Sequence, residues 1–131
     1  MKKIIAISII MGLVITLAVV EMMLGRQVYG KIEEDATALS IKLEGKRDNV
    51  MNDEELIRMS DDIIEYWSNY YSFLMMFSNH TTLKSFNDKI YSIKAYLLVD
   101  SAEDAYATAI SVMIVAKDLK DENKPLVENL L

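Results

Sequence analysis

The hydrophobic pattern divides the chain into one continuous apolar run and a longer region in which apolar residues recur periodically. The run extends from Ile4 to Leu24, 21 residues, and Glu21 is its only charged residue. At about 1.5 Å per residue, a helix of this length measures about 31 Å, close to the roughly 30 Å hydrocarbon thickness of a bilayer. The run therefore predicts a single-pass transmembrane helix that anchors the chain in a cell membrane.

Two other interpretations of the apolar run stay open. Lys2 and Lys3 suit the start of a cleaved signal peptide, with Thr16-Leu17-Ala18 as the best cleavage site. However, the run is longer than the roughly 7–15 apolar residues usual in such signals. A helix packed against the core of a soluble protein would keep one polar face toward water, and this run is apolar on every face. An uncleaved anchor is therefore our leading interpretation.

The positive charges around the run predict its orientation. Lys2 and Lys3 precede it, whereas Arg26 and Lys31 follow it and are diluted by three acidic residues. Lys and Arg are enriched on the cytoplasmic side of membrane helices. We therefore expect the N-terminus in the cytoplasm and the C-terminal domain outside it.

Beyond the run, apolar residues follow helical spacing. The strongest pattern is an a/d seam in a helix predicted over 53–79, in which Asn52 and Glu55 would form an N-terminal capping box. A second helix follows it, and a third is predicted over 102–122, with Ser101 as its N-cap and Pro125 beyond its end. The seam contains Leu56, Met59, Ile63, Tyr66, Tyr70, Phe73 and Phe77, widened by Ile64, Trp67 and Leu74; the later stripes are Leu83, Phe86, Ile90, Ile93 and Leu97, then Ala102, Ala105, Ala109, Val112, Ala116 and Leu119.

A weaker apolar stripe joins the run to these helices. Gly25 and Gly30 each cost about 1 kcal/mol relative to alanine but do not end a helix, so one helix is predicted from about residue 3 to 45. Helices with one apolar face bury those faces by bundling. The prediction is thus an all-α fold in which a transmembrane anchor (1–24) continues into an antiparallel bundle of about four helices (25–131). The connecting stripe is Val28, Ile32, Ala36, Leu39 and Leu43.

The acidic composition of the predicted domain limits the kinds of molecule that it can bind. Residues 25–131 hold 12 Lys or Arg and 19 Asp or Glu, a net charge of −7, and the chain has no cysteine. An acidic surface repels the phosphates of nucleic acid and of anionic headgroups, so we expect no nucleic-acid partner. Without cysteine there are no disulfides, and helix packing alone must hold the fold.

Few residues are candidates for a site. His80, the only histidine, is predicted to end the aromatic helix, where it would cap carbonyl groups or pack in the turn. A helix C-terminus favours the cationic form, so a pH-sensing role is its functional alternative. The carboxylates near Asp53 and Asp61 match no calcium-loop spacing and are interpreted as a solvated helix face.

An aromatic-rich segment surrounds the only tryptophan of the chain. Most of its rings are assigned to the core, although Tyr and Trp are also favoured in protein interfaces. Tyr71, Met75 and Met76 lie off the predicted seam. These three residues are the predicted exposed apolar patch through which the domain would bind another protein.

The arrangement of these pieces resembles a known family. The segment from Trp67 to Phe77, the Asn79-His80 step, the stretch over 101–105 and the final Glu128-Asn129-Leu130-Leu131 are similar to parts of a small bacterial family. It is catalogued as domain of unknown function 4363 and occurs mainly in anaerobic, spore-forming Gram-positive bacteria. The resemblance implies a membrane-anchored helical domain and carries no activity.

No phosphate-binding glycine loop, metal-ligand spacing or catalytic triad stands out in the sequence. We therefore predict an interaction or structural module without a cofactor. It would contact the lipid bilayer through Ile4–Leu24 and bind an unidentified membrane or envelope protein, or a second copy of itself. The alternative is an accessory or sensor subunit of a membrane complex, and an enzyme ranks third.

Overall fold

Four helices joined by short connections form the part of the chain that the computed structural model describes, residues 1–122. Helix α1 spans Lys2–Leu43, α2 Glu54–Met75, α3 His80–Leu98 and α4 Ala102–Glu122, and a 3-10 turn over Val50–Asn52 lies between α1 and α2. The all-α prediction is confirmed. Pro125 and the apolar residues after it, Leu126, Val127, Leu130 and Leu131, lie outside the described residues.

Helix α1 has two environments along its length. Every residue from Met1 to Val20 is exposed, whereas a stripe on its second half is buried. Between them, Glu21, Met22 and Leu24 are half-buried, and Leu24 packs against the core. The apolar run and a bundle helix are therefore one continuous helix. All five predicted stripe residues are buried, together with Gly25, Tyr29 and Ser40.

The second half of α1 and the three later helices form an antiparallel bundle. Each helix packs against the next one in the chain, and α4 returns to pack extensively along α1. The buried line of α4 contains four alanines, whose small side chains allow two helix backbones to approach closely. Every residue of the stripes predicted for α3 and α4 is buried, so both predicted faces are confirmed.

The seam predicted for α2 is partly wrong. Tyr66, Tyr70 and Phe73 are only half-buried, and Phe77 is 43% exposed. Apolar side chains flank the central line of α2 on both sides, and periodicity alone does not show which flank faces the core. The inward face is centred one position further round the helix than an a/d seam. Its buried residues are Leu56, Ser60, Ile63, Trp67 and Leu74.

Both ends of α2 also differ from the prediction. Asn52 is wound into the 3-10 turn, so Asp53 is the N-cap instead, and its Oδ1 accepts the backbone N–H groups of Glu55 and Leu56 at 3.1 and 3.2 Å. The helix ends at Met75 rather than at residue 79 because Asn79 already caps the next helix. A polar side chain that can accept two backbone N–H groups fixes where a helix begins.

The lowered pKa of Asp53 predicts how the stability of the fold depends on pH. A hydrogen bond from Lys46, supported by the backbone N–H groups of Leu56 and Glu55, holds the pKa of Asp53 below its ordinary value. A carboxylate with a lowered folded-state pKa stabilises the fold above its unfolded-state pKa, about 3.9, and this stability is lost as the pH falls through the folded-state pKa. Asp53→Asn keeps a capping oxygen but does not titrate. When the pH is lowered below about 4, we expect the urea midpoint of unfolding to decrease less for this variant than for the native chain. The same decrease in both proteins would contradict the assignment.

Asp100 joins two connections at the end of the bundle far from the apolar run. It has a positive φ of 58°, a conformation that Asp tolerates better than most residues. Its Oδ1 accepts the backbone N–H groups of Val50 at 2.8 Å and Met51 at 3.3 Å. One carboxylate thus ties the link between α1 and α2 to the turn before α4. Ser101 follows, and its backbone carbonyl accepts the N–H of Ala105 in the first turn of α4.

Replacing Asp100 with alanine is expected to lower the free energy of unfolding by about 1–3 kcal/mol, because the N–H of buried Val50 loses its acceptor. Asp100→Asn retains an oxygen at the same place and tolerates the same backbone conformation, so we expect a much smaller loss. Urea unfolding of the full chain in detergent micelles, followed by the fluorescence of Trp67, measures both. An unchanged midpoint for Asp100→Ala would show that these hydrogen bonds do not stabilise the fold.

Candidate functional site

The residues predicted as an interaction patch meet at the turn between α2 and α3. Met75 is the last residue of α2, and the α2–α3 turn comprises Met76, Phe77, Ser78 and Asn79. The side chain of Met76 is 75% exposed. Tyr71 lies one helical turn earlier, where its ring centroid is 5.5 Å from that of Trp67. Tyr71 and Met75 pack partly against the core, so Met76 is the predicted patch residue that is open to its surroundings.

His80 does not lie where it was predicted. It is the first residue of α3, not the last of α2, because Asn79 Oδ1 accepts the backbone N–H groups of Thr81 and Thr82 at 2.9 and 3.3 Å. Its side chain is exposed. At a helix N-terminus it cannot cap carbonyl groups, and the expected stabilisation of its cationic form by a helix C-terminus does not apply. The basis for a pH-sensing His80 is therefore gone.

Phe77 is the residue of this surface that the sequence pattern missed. It continues the heptad spacing and was assigned to the core, but α2 ends two residues before it and the turn carries it outward. The signal was present in Asn79, since asparagine is a preferred N-cap and two threonines supply the N–H groups that it accepts. Met76 and Phe77 are consequently adjacent exposed apolar residues at one end of the bundle.

A cavity of about 400 Å³ lies beside the α2–α3 turn. Tyr29 of α1, Ser78 and Asn79 of the turn, and Leu119 and Glu122 of α4 line it. Burial raises the pKa of Tyr29 to about 12; the Ser78 side chain opposes this shift, and the charges of Glu21 and Glu122 add to it. Tyr29 therefore stays protonated at neutral pH and is unsuited to be a general base there.

Five carboxylates on the bundle surface pair with lysines. Within residues 1–122, no three His, Asp or Glu side chains lie close enough together to hold a metal ion. Exposed ion pairs of this kind each stabilise a fold by about 0–1 kcal/mol. The pairs are Lys31–Asp35 at 2.9 Å, Lys46–Asp53 at 2.6 Å, Lys94–Asp61 at 2.6 Å, Lys120–Glu33 at 2.7 Å, and Lys42–Glu55.

Comparison with known proteins yields no relative, since no family model, curated protein or solved structure matches the chain. The resemblance to domain of unknown function 4363 therefore stays a prediction. The geometry offers a surface at one end of the bundle: an apolar turn, a cavity of about 400 Å³ next to it, and a long exposed apolar helix.

Proposed function

We propose that this chain is a single-pass membrane protein whose helical bundle is a protein-interaction or structural module on the extracytoplasmic face. The continuity of α1 carries the proposal. Its first half exposes large apolar residues on all sides, for example Ile4 at 70% and Val14 at 59%, while its second half is a helix of the bundle. This is the one helix among residues 1–122 that is long and apolar enough to cross a membrane.

The apolar half of α1 has a lower free energy in hydrocarbon than in water. Twelve residues between Ile4 and Leu24 are Ile, Leu or Val. At roughly −0.3 to −0.6 kcal/mol each, they favour insertion by about −4 to −7 kcal/mol. In water the same surface would drive aggregation, because it is a far larger apolar patch than soluble monomers usually expose.

The proposal takes the anchor as uncleaved. Cleavage after Ala18 would remove most of the exposed run but leave the buried stripe from Gly25 onward intact. The bundle is therefore compatible with either fate, and the length of the apolar run supports retention. Mass spectrometry of the membrane-bound chain separates the two, since the uncleaved protein has a mass of 14.9 kDa.

A continuous helix between anchor and bundle has a mechanical consequence. No loop or proline interrupts α1 between Glu21 and Leu43, so the bundle is mounted rigidly on the membrane rather than on a loose tether. A rigid mount fits a module that positions itself against a neighbouring membrane or envelope protein, or against a second copy. It also fits the alternative of an accessory subunit, which would transmit a signal sideways within the membrane.

Cysteine labelling tests the topology directly, because the chain contains no cysteine. Val99 is 71% exposed at the end of the bundle far from the anchor. We expect Val99→Cys to react with a membrane-impermeant maleimide in intact wall-stripped cells, and Lys3→Cys to react only after permeabilisation. The reverse pattern would overturn the orientation, and a chain recovered in the soluble fraction would overturn the anchor. Crosslinking in the same membranes, followed by affinity purification, identifies the partner.

A further inference from the structure

We propose that the α2–α3 turn is a second membrane contact, in which Met76 and Phe77 enter the interfacial layer of the leaflet from which α1 emerges. The inference rests on the proposed anchoring of α1 and adds a second point at which the bundle meets the lipid. The occupant of this apolar surface is thus the bilayer itself, at the boundary between headgroups and acyl chains.

The register between α1 and α2 sets the depth of the turn. Lys42 pairs with Glu55, and the rings of Tyr29 and Trp67 have centroids 6.3 Å apart. Between these contacts both antiparallel helices advance by nearly the same number of residues. Eight residues further along each helix, Met75 is level with Glu21, about 12 Å beyond Tyr29. Met76 and Phe77, which follow Met75, therefore lie alongside the last part of the apolar run, and Ser78 and Asn79 return toward Tyr29, with which they line the cavity.

In α4, the other helix that runs toward the membrane, the last described residue lies further from the membrane than Met75 does. Lys120 of α4 pairs with Glu33 of α1 at 2.7 Å. Glu122, the last described residue of α4, is two residues further along the helix and is thus near the level of Lys31. Among residues 1–122, the α2–α3 turn is the part of the bundle that comes nearest to the apolar half of α1.

The length of the free apolar helix brings this turn to the membrane surface. From Ile4 to Val20, before the half-buried residues begin, α1 has 17 residues, or about 26 Å of helix. A hydrocarbon core of roughly 30 Å corresponds to about 20 residues of helix. A span of that length that begins at Ile4 reaches the residues between Glu21 and Leu24, which are the residues level with the turn. A bundle mounted at this depth cannot hold Met76 and Phe77 far from lipid.

The distribution of charge favours the same face. Residues 66–87, which form the lower parts of α2 and α3 and the turn between them, contain no Asp or Glu. Lys84 is their only lysine or arginine. The opposite end of the bundle carries Asp53, Glu54 and Asp100. In a chain of net charge −6, the turn and the helix segments that flank it therefore bring no carboxylate of their own toward the lipid phosphates; among the described residues, the acidic groups near this end are Glu21 of α1 and Glu122 of α4. Exposed apolar side chains in such a position bury about 5–10 Å into the headgroup and acyl boundary.

Single cysteines carrying an environment-sensitive fluorophore test this contact in the full chain. The protein is reconstituted into phosphatidylcholine vesicles with or without lipids that bear a doxyl quencher. Met76→Cys is the probe, and Val99→Cys is the matched control, because it is also an exposed apolar residue in a turn but at the far end of the bundle. Ile10→Cys, within the run, reports whether the anchor itself is inserted.

We expect a blue shift and lipid quenching at positions 10 and 76, with stronger quenching at position 76 by a shallow doxyl group than by a deep one, and neither effect at position 99. If position 10 is quenched and position 76 behaves like position 99, the second contact is wrong while the anchor stands. If position 10 is not quenched, the proposed anchoring fails. A blue shift at position 76 without lipid quenching would mean that protein covers the turn, either residues 123–131 or a second copy, and would overturn the inference.

Discussion

Replacing Trp67 with alanine is expected to lower the free energy of unfolding by about 3–5 kcal/mol. The indole is fully buried and packs edge-to-face on Phe86 of α3, with ring centroids 4.9 Å apart. It also contacts Tyr29 of α1, so one side chain joins three helices. Small domains are stable by only about 5–15 kcal/mol, and this loss would remove a large part of that margin.

The indole N–H adds to the cost of removal. Trp67 Nε1 donates a hydrogen bond to Asn87 Oδ1 at 2.9 Å, and the alanine variant leaves this amide without its partner. Trp67→Phe keeps most of the apolar volume but loses the hydrogen bond. We expect it to cost about 1–3 kcal/mol, chiefly from the unpaired polar group. The difference between the two variants separates packing from polar satisfaction.

Urea unfolding followed by circular dichroism measures these losses in the full chain in micelles, since the alanine variant has no tryptophan fluorescence. Tyr91→Ala is the control, because Tyr91 is an aromatic residue of α3 that is 46% exposed. We expect a loss under about 1 kcal/mol for it, as for most surface substitutions. Similar losses for Trp67→Ala and Tyr91→Ala would show that Trp67 is not the centre of the core.

The sequence pattern identified the buried face of a helix where polar or small residues marked it. On α3, the positions between the stripe residues are mainly polar, and every stripe residue is buried. On α4, Ile110, Met113, Ile114 and Val115 lie outside the stripe, but four alanines mark the face that packs along α1, and every stripe residue is buried. On α2, Ile57, Ile64, Tyr66 and Phe73 extend the apolar surface on both sides of the buried line. The hydrophobic effect is non-directional, so such a helix can bury either flank. The side it buries is set by its neighbours, here Tyr29 and Phe86 around Trp67.

The candidate surface was less accessible from sequence because it depends on a helix end. Phe77 fits the heptad spacing, and only the capping of α3 by Asn79 shows that α2 must stop before it. The depth of the turn relative to α1 depends on core contacts such as that of Tyr29 with Trp67, residues that are far apart in the chain. The local pattern predicts which apolar residues share a helix face. Whether those residues are exposed at one end of the bundle depends on how the helices are aligned with each other in the folded structure.

Placing two arginines at the middle of the apolar run is expected to abolish stable membrane anchoring. In the double variant Leu13→Arg, Val14→Arg, each arginine near the helix centre costs roughly 2.5–3.5 kcal/mol, about 5–7 kcal/mol together. The substitutions also remove two favourable apolar residues. Since the apolar run favours insertion by about −4 to −7 kcal/mol, the net preference for the bilayer disappears.

Alkaline carbonate extraction of membranes, followed by ultracentrifugation, measures the outcome. We expect the native chain in the membrane pellet and the double variant in the supernatant or in lipid-free aggregates, which stay at the bottom when the pellet is floated through a density gradient. Leu98→Arg combined with Ile114→Arg is the matched control: it adds the same two charges at bundle positions that are 53% and 51% exposed. That control should stay in the pellet, because its charges remain in water.

Carbonate extraction also tests how much the α2–α3 turn contributes to membrane binding. Two apolar side chains at the interface offer roughly 1.5–3 kcal/mol each if fully buried, which is too little to hold a chain on a membrane through carbonate extraction. A double variant that stayed in the lipid pellet would therefore mean that neither the turn nor the apolar run accounts for membrane association. If the control variant were extracted equally, added positive charge rather than loss of the span would be the cause. When the two arginines prevent insertion of the anchor, we expect the turn to leave the membrane together with the rest of the bundle. The contact of the turn with lipid orients the domain, and it forms only because α1 holds the turn at the membrane surface.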